Sequence, residues 1–487
     1  MKKTYILLGF ILLLGFALRL YRIDNPIADW HSWRQADTSS VTRELLKNDF
    51  DLLHPRFQDL SNVASGLDNP EGYRFVEFPI YNTVQGFLYL SFQTFTLEVW
   101  GRVATIFSVL LSITFLFGIV NRYFGKTAAL CSAFFYAVLP FSIFYGRVIL
   151  PDPMMTMSFL GAIYFFSRCV DTKDQSLLVR YVFFSVSLFL ASISLLLKPF
   201  AGFFLIPLAL ISYQLFGFAL FKKIPLYVYA LLTVIPLLLW RWWMLQFPEG
   251  IPANEWLFNG GNIRFTGAFF YWIFADRIAR LILGYWGIGL FVIGLVVLSL
   301  RTNLVSLRKG RSWIVVSFLL SSLLYLFVVA RGNVQHDYYQ IPIVPSLVMV
   351  MGIGSSFLLS PPKEYHMWIM RGKLVGLTVL MLFFSWYFVR DYFNVNNPNI
   401  VIAGEAVDKL TPKDANIVTF YDGDTSFLYQ TKRKGWSSLQ DPLSVLVEKG
   451  AEYLVIVNPT EKDREGVGKE YTVISSTNEY LLLELRK

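Results

Sequence analysis

Charge is scarce in this sequence. Only 16% of the 487 residues are Asp, Glu, Lys or Arg, while 55% are hydrophobic; an average soluble domain is roughly a quarter charged. The shortage is uneven. Stretches of about twenty residues carry almost no charge, enough to cross a hydrocarbon core roughly 30 Å thick as a helix. That excludes a soluble globular chain. Cysteine is nearly absent: Cys131 and Cys169 are the only two, and they make neither a disulfide framework nor a CxxC metal pair. No basic stripe runs through a soluble segment, so the formal charge of +9 does not point to nucleic acid. It reads as ordinary topology charge on loops between apolar runs. There is no internal repeat, so the inverted-repeat signature of many transporters is missing. No small-residue cleavage site follows the first apolar run, which Lys2 and Lys3 precede and Arg19 and Arg22 follow. It reads as an uncleaved helix with its amino end in the cytoplasm.

Apolar runs predict an all-α polytopic membrane domain over 1–390, with about eleven spans at 4–21, 99–120, 127–146, 154–170, 177–197, 199–219, 225–243, 281–300, 312–330, 340–360 and 374–390. Basic residues follow alternate spans: Arg122 and Lys126; Arg168, Lys173 and Arg180; Lys222 and Lys223; Arg301, Arg308, Lys309 and Arg311; Lys363, Arg371 and Lys373. All five groups fall on the side of Lys2 and Lys3, which predicts the orientation. The run at 78–97 is apolar enough to insert, but a span there would invert every later loop. It reads as a helix at or just inside the outer leaflet. Segment 244–280, with Phe269, Phe270, Trp272 and Ile273 ahead of Arg277 and Arg280, reads as an interfacial amphipathic helix; it either borders a lipid groove or is a plain surface connector. The outer side then collects the first loop 22–98, the turns at 147–153 and near 198, the segment 244–280, the turn at 331–339 and the tail 391–487.

That tail is of a different kind. Short runs at 417–421, 453–457, 471–475 and 480–486 alternate with helix-like EAVDKL and PLSVLVEKG, which predicts a small α/β extracytoplasmic domain.

The outer turns hold the residues with chemistry. Asp37 stands before the helical TSSVTRELLKN and is either an N-cap or a group facing a substrate. Glu77 precedes Pro79 at the start of the interfacial helix, where an acidic residue is an ordinary dipole partner. Arg147 and Asp152 flank a turn between two apolar helices; Asp152 could equally cap the next helix. Lys198 lies between two apolar runs with no other charge nearby, either snorkelling to headgroups or holding a phosphate in a cavity. The turn 331–345 brings Arg331, His336, Asp337, Tyr338 and Tyr339 together, but adjacent residues seldom point the same way. One His and one Asp make no metal site by spacing, and a divalent metal is left open. Carboxylates to orient an acceptor hydroxyl and cations to neutralise a departing phosphate suit a reaction at the outer membrane surface.

At these residues the chain resembles glycosyltransferase family 39, the dolichyl-phosphate-mannose protein mannosyltransferase type that includes the bacterial aminoarabinose transferase of lipid A. The resemblance covers roughly 1–390 and lies in the order of WRQADTSSVTREL, EFPIYN, RVILPDP, LLKPF and HDYYQIP. It implies a C-type glycosyltransferase fold in a bacterial-type plasma membrane. It implies inverting transfer of a sugar from a polyprenyl-phosphate donor to a lipid, glycan or protein acceptor on the extracytoplasmic face, as in cell-envelope glycosylation. By the same resemblance Asp37 is the base and Asp152 a second catalytic acid. Lys198, Arg331 and Arg147 meet the donor phosphate, and Glu77, His336, Tyr338 and Tyr339 lie on the acceptor or metal side. Many family members carry an Asp-Glu pair in the first loop, where this chain has Ala36-Asp37-Thr38; Asp37 takes either the first or the second place of the pair. The tail shows no family motif. Two rivals remain at this point: a transporter or flippase of a lipid-linked substrate, and a ligase of lipid-linked glycans.

Overall fold

In a computed structural model of the chain, residues 2–171, 176–301, 307 and 310–486 are described. The basic residues Lys173, Arg308 and Lys309 lie outside them.

The first part is helical. Helix α1 (Lys2–Arg19) leads to a long loop that contains α2 (Ser32–Lys47) and α3 (Ile80–Phe92). Then come α4 (Leu97–Phe124), α5 (Lys126–Val138), α6 (Pro140–Tyr145), α7 (Asp152–Asp171) and α8 (Leu177–Leu197). They are followed by α9 (Ile206–Phe216), α10 (Ile224–Met244) and the short α11 (Trp256–Asn259) and α12 (Gly267–Phe270). Helices α13 (Gly287–Arg301), α14 (Trp313–Val328), α15 (Ala330–Gln335), α16 (Val344–Leu359) and α17 (Met367–Val389) complete this part.

Helix α16 is the centre of the bundle and is buried along nearly its whole length. Small residues let its neighbours come close. A Cβ on Gly352 would lie 2.0 Å from Ser132 Oγ of α5, and one on Gly294 of α13 would lie 2.0 Å from the Val350 carbonyl. Close backbone approach of this kind is how helices gain contact where lipid supplies no hydrophobic drive. At the periphery, α8, α10 and α17 keep large apolar side chains such as Phe189, Leu238, Trp242 and Phe383 exposed, as helices do whose outer face is solvated by lipid.

Among the described residues six helical segments are long and apolar enough to cross a membrane, or seven if the bent pair Gly267–Ile282 and Gly287–Leu300 is one span. The expected eleven is not reached by that measure. Helix α5 stops at Val138 because Pro140 cannot supply the next helical donor, and α14 has only 16 residues. The amphipathic helix expected over 244–280 is broken. Gly261 and Asn262 adopt positive φ, and a continuous helix exists only over Gly267–Ile282, wound as a π-helix from Tyr271.

The tail forms a five-stranded sheet of order β2-β1-β3-β5-β4, made of β1 (Asn416–Phe420), β2 (Lys434–Trp436), β3 (Tyr453–Val457), β4 (Thr472–Ser476) and β5 (Tyr480–Glu484). Strands β2, β1 and β3 are parallel, while β5 runs antiparallel to β3 and β4. Four of these strands follow the apolar runs in the sequence; β2 is too short and polar to have been seen. Helices α18 (Asn399–Leu410), α19 (Thr425–Thr431) and α20 (Leu443–Glu448) complete it. This sheet is joined to the first loop. Leu60 N donates to the Gly435 carbonyl at 2.7 Å and Gly435 N to the Gln58 carbonyl at 3.0 Å, so the loop 22–98 extends the edge at β2.

Candidate active site

Helix α2 begins at Ser32, not after Asp37. His31, with φ 53°, sets its start without a side-chain cap, and Trp33-Arg34-Gln35-Ala36 continues in residues of good helix propensity. Asp37 is therefore not an N-cap. It lies in the second turn, and its carboxylate is free to bond elsewhere. Arg74 Nη2 holds Oδ2 at 2.5 Å, and the Thr425 hydroxyl donates to Oδ1 at 2.7 Å.

Glu77 and Lys198 come from turns far apart in sequence. Phe78 N donates to the Leu196 carbonyl at 3.1 Å and so pins the approach to α3 against the end of α8. Lys198 follows that end in extended conformation, with φ −157°, ahead of Pro199. Its ammonium lies 2.9 Å from Asp152 Oδ1 and 3.9 Å from Glu77 Oε1. Asp152 opens α7 behind Pro151, and its Oδ2 is buried with no hydrogen-bond partner among the described residues. Arg34, from α2, donates to Glu77. Burial alone would lower the Arg34 pKa, but the Glu77 charge, with smaller help from Tyr338 and Asp37, raises it above the usual arginine value. The Tyr338 and Tyr339 rings stand 5.6 and 5.4 Å from Lys198 Nζ.

Asp37, Glu77 and Asp152 thus each face a cation of the chain: Arg74, Arg34 and Lys198. All six line or adjoin a cavity of about 520 Å³ between the first loop, the turns and the tail. Asp59 also lines it. Burial raises the Asp59 carboxyl pKa and the nearby Asp37 charge adds to this, against the hydrogen bonds of Ser61 and Ser437. Arg241, near the end of α10, lines it too, and no carboxylate pairs with it among the described residues.

His336 lines the same cavity, stacked on Tyr338 with ring centres 5.4 Å apart. Burial, with the neighbouring His31 second, lowers its pKa to about 4. Asp337 does not share that direction. It is buried and accepts hydrogen bonds from His31 Nε2 at 2.6 Å, Tyr392 at 2.6 Å, Trp30 at 3.1 Å and Tyr145. His336 and Asp337 are therefore no base pair.

Two expected phosphate ligands are not brought to this cavity. Arg147 is wholly buried elsewhere, 3.1 Å from Asp29 and donating to the Arg22 carbonyl at 2.8 Å. Arg331 lies on α15 with its stem against Gly260. Conversely, Arg34, Arg74, Arg241 and Thr425 were not singled out in the sequence. Their isolated positions carry no pattern, although Arg34 stands in the quoted WRQADTSSVTREL and Arg74 three residues ahead of EFPIYN. Among the described residues no group of three or more His, Cys, Asp or Glu is arranged to hold a metal ion, and each of the three carboxylates already has a cation.

Residues 86–243 match the family model of dolichyl-phosphate-mannose-protein mannosyltransferase. No curated protein sequence matches the chain. Among solved structures it is similar to ArnT from Cupriavidus metallidurans in the apo state, with TM-score 0.66 and 11% identity over 99% of this chain and 98% of that one. The same enzyme bound to undecaprenyl phosphate gives TM-score 0.66 at 14% identity, with the same coverage. The Archaeoglobus fulgidus oligosaccharyltransferase matches with TM-score 0.62 and 11% identity, over 96% of this chain and 70% of that one. The C-type glycosyltransferase fold expected from the sequence, with its small C-terminal sheet domain, is the fold of this chain, and the resemblance to the mannosyltransferase type stands.

Proposed function

We propose that this chain is an integral-membrane, inverting glycosyltransferase that moves a sugar from a polyprenyl-phosphate donor to an acceptor hydroxyl. The observation that carries the reading is the pairing of two cavities. A second, almost purely apolar cavity of about 970 Å³ lies between α8, α9, α10 and α14. Leu237 lines both it and the polar cavity. An amphiphile with a long hydrocarbon tail and an anionic head fits across this junction: tail among Leu208, Leu226 and Leu320, head toward Lys198 and Arg241. The similar ArnT binds undecaprenyl phosphate, and the Archaeoglobus enzyme has been seen in complex with dolichol phosphate.

In this reading Asp37 takes the proton of the acceptor hydroxyl. The acceptor oxygen attacks the anomeric carbon from the side opposite the phosphate, the bond to the phosphate oxygen breaks, and polyprenyl phosphate leaves. Lys198 and Arg241 stabilise its charge. Asp152 holds Lys198 in place. Glu77 and the His336, Tyr338 and Tyr339 wall face the sugar and the acceptor.

The Lys and Arg excess on alternate loops supports an amino end in the cytoplasm and a tail 391–487 outside. Asp152 and Lys198 sit at the ends of α7 and α8 and not at mid-span, which disfavours a transporter. Mass spectrometry of lipid co-purified in mild detergent tests the donor class. A polyprenyl monophosphate, with or without one sugar, is expected; a polyprenyl diphosphate glycan would make the chain a ligase instead. A reporter fused after residue 390 tests the topology, and a cytoplasmic signal there would overturn it.

A further inference from the structure

We infer that the C-terminal domain is part of the active site and that Thr425 is a positioning residue for Asp37. This rests on the reading of Asp37 as the base. Thr425 opens α19, whose N-cap Asp424 accepts from Ser426 N at 2.8 Å. The Thr425 hydroxyl lies 2.7 Å from Asp37 Oδ1 and 3.2 Å from the Trp33 carbonyl. A hydroxyl has one proton to give, and the shorter contact to a charged oxygen takes it. Arg74 occupies the other oxygen. One donor therefore comes from the first loop and one from the tail, and together they fix the plane of the carboxylate. Each oxygen keeps a further lone pair for an acceptor hydroxyl.

The rest of α19 holds Thr425 in that place. Tyr429, one turn on, donates to Glu98 and meets the Ser39 hydroxyl at 2.9 Å. The Arg43 guanidinium lies 3.8 Å from the centre of its ring and donates to its carbonyl at 3.0 Å. Trp33, Asp37, Ser39 and Arg43 all belong to α2, so α19 is clamped along the helix that carries the base. Gly423, at φ 81°, turns the chain into α19, and both it and Thr425 line the polar cavity.

The test compares Thr425→Val, which keeps the shape and removes the donor, with Thr425→Ser, which keeps the donor. Asp37 is the sole carboxylate between Gln35 and Arg43, so one tryptic peptide reports it alone. The full-length protein in detergent is labelled with a water-soluble carbodiimide and an amine across a pH series; the reagent activates the protonated carboxyl. Losing a donor to a carboxylate favours its protonated form. Half-maximal labelling should therefore move to higher pH in Thr425→Val and stay in place in Thr425→Ser. In membrane vesicles with the endogenous lipid donor, release of polyprenyl phosphate should slow about tenfold or more in Thr425→Val and recover in Thr425→Ser. A Thr425→Val protein that labels and turns over like the wild type overturns the proposal alone, provided Asp37→Asn is inactive. A fully active Asp37→Asn overturns the base reading and this proposal with it.

Discussion

Lys198 stands 2.9 Å from Asp152 and 3.9 Å from Glu77, one ammonium between carboxylates delivered by two different turns. Replacing it by alanine leaves the buried Asp152 without its cation. Breaking a buried pair costs about 3 kcal/mol or more, so Lys198→Ala should lower the melting temperature in detergent as well as weaken the lipid donor. Quenching of intrinsic tryptophan fluorescence by undecaprenyl phosphate reads the affinity, and an unchanged affinity would remove Lys198 from phosphate binding.

Arg241 makes the complementary case. It faces the cavity and leaves no carboxylate orphaned when removed. Arg241→Ala should therefore weaken undecaprenyl phosphate by about tenfold or more, the worth of a charge-assisted hydrogen bond, at nearly unchanged melting temperature. An affinity like that of the wild type would confine the head-group charge to Lys198.

The His336 pKa is lowered to about 4, against an ordinary value near 6.5. The unfolded chain thus binds more protons at this site than the folded one between those values, and stability must rise with pH through that window. Melting temperatures measured from pH 4 to 6.5 should climb, and His336→Gln should flatten the climb. A slope that is the same in the variant would exclude His336 as its source.

Tyr429→Phe removes the hydroxyl that meets both Glu98 and Ser39. The expected cost is about 1–2 kcal/mol, seen as a lower melting temperature and faster proteolysis in the tail, with the bundle 97–389 still protected. Equal protease sensitivity would mean that the Tyr429 hydroxyl does not hold the tail.

The membrane helices and four strands of the tail were legible in the sequence because each is an apolar run bounded by charge or by a turn. Asp152, Lys198 and Glu77 were legible because a charge between apolar runs is conspicuous. The pairing of those charges was not. Arg34, on α2, and Arg74 lie in polar sequence where a cation is unremarkable, and Thr425 reaches Asp37 from 388 residues away. The start of α2 was misplaced because Asp37 looks like a cap when the helix-forming residues before it are discounted. The position of Arg147 was misjudged for a related reason. Asp29, its partner, sits in the same loop as Asp37, and only the folded loop decides which carboxylate meets which arginine.

The most direct test of the account is turnover by the Asp37→Asn protein. Asparagine keeps the size of the side chain and an oxygen for Thr425, so the fold should persist. Purified protein is reconstituted in nanodiscs with a series of synthetic undecaprenyl-phosphate sugars, and released undecaprenyl phosphate is measured by mass spectrometry. The wild type should release it from at least one donor. Asp37→Asn should slow that release by about 10²-fold or more, the usual worth of a general base. Release from Asp37→Asn at the wild-type rate, or none from the wild type with any donor, would contradict the account.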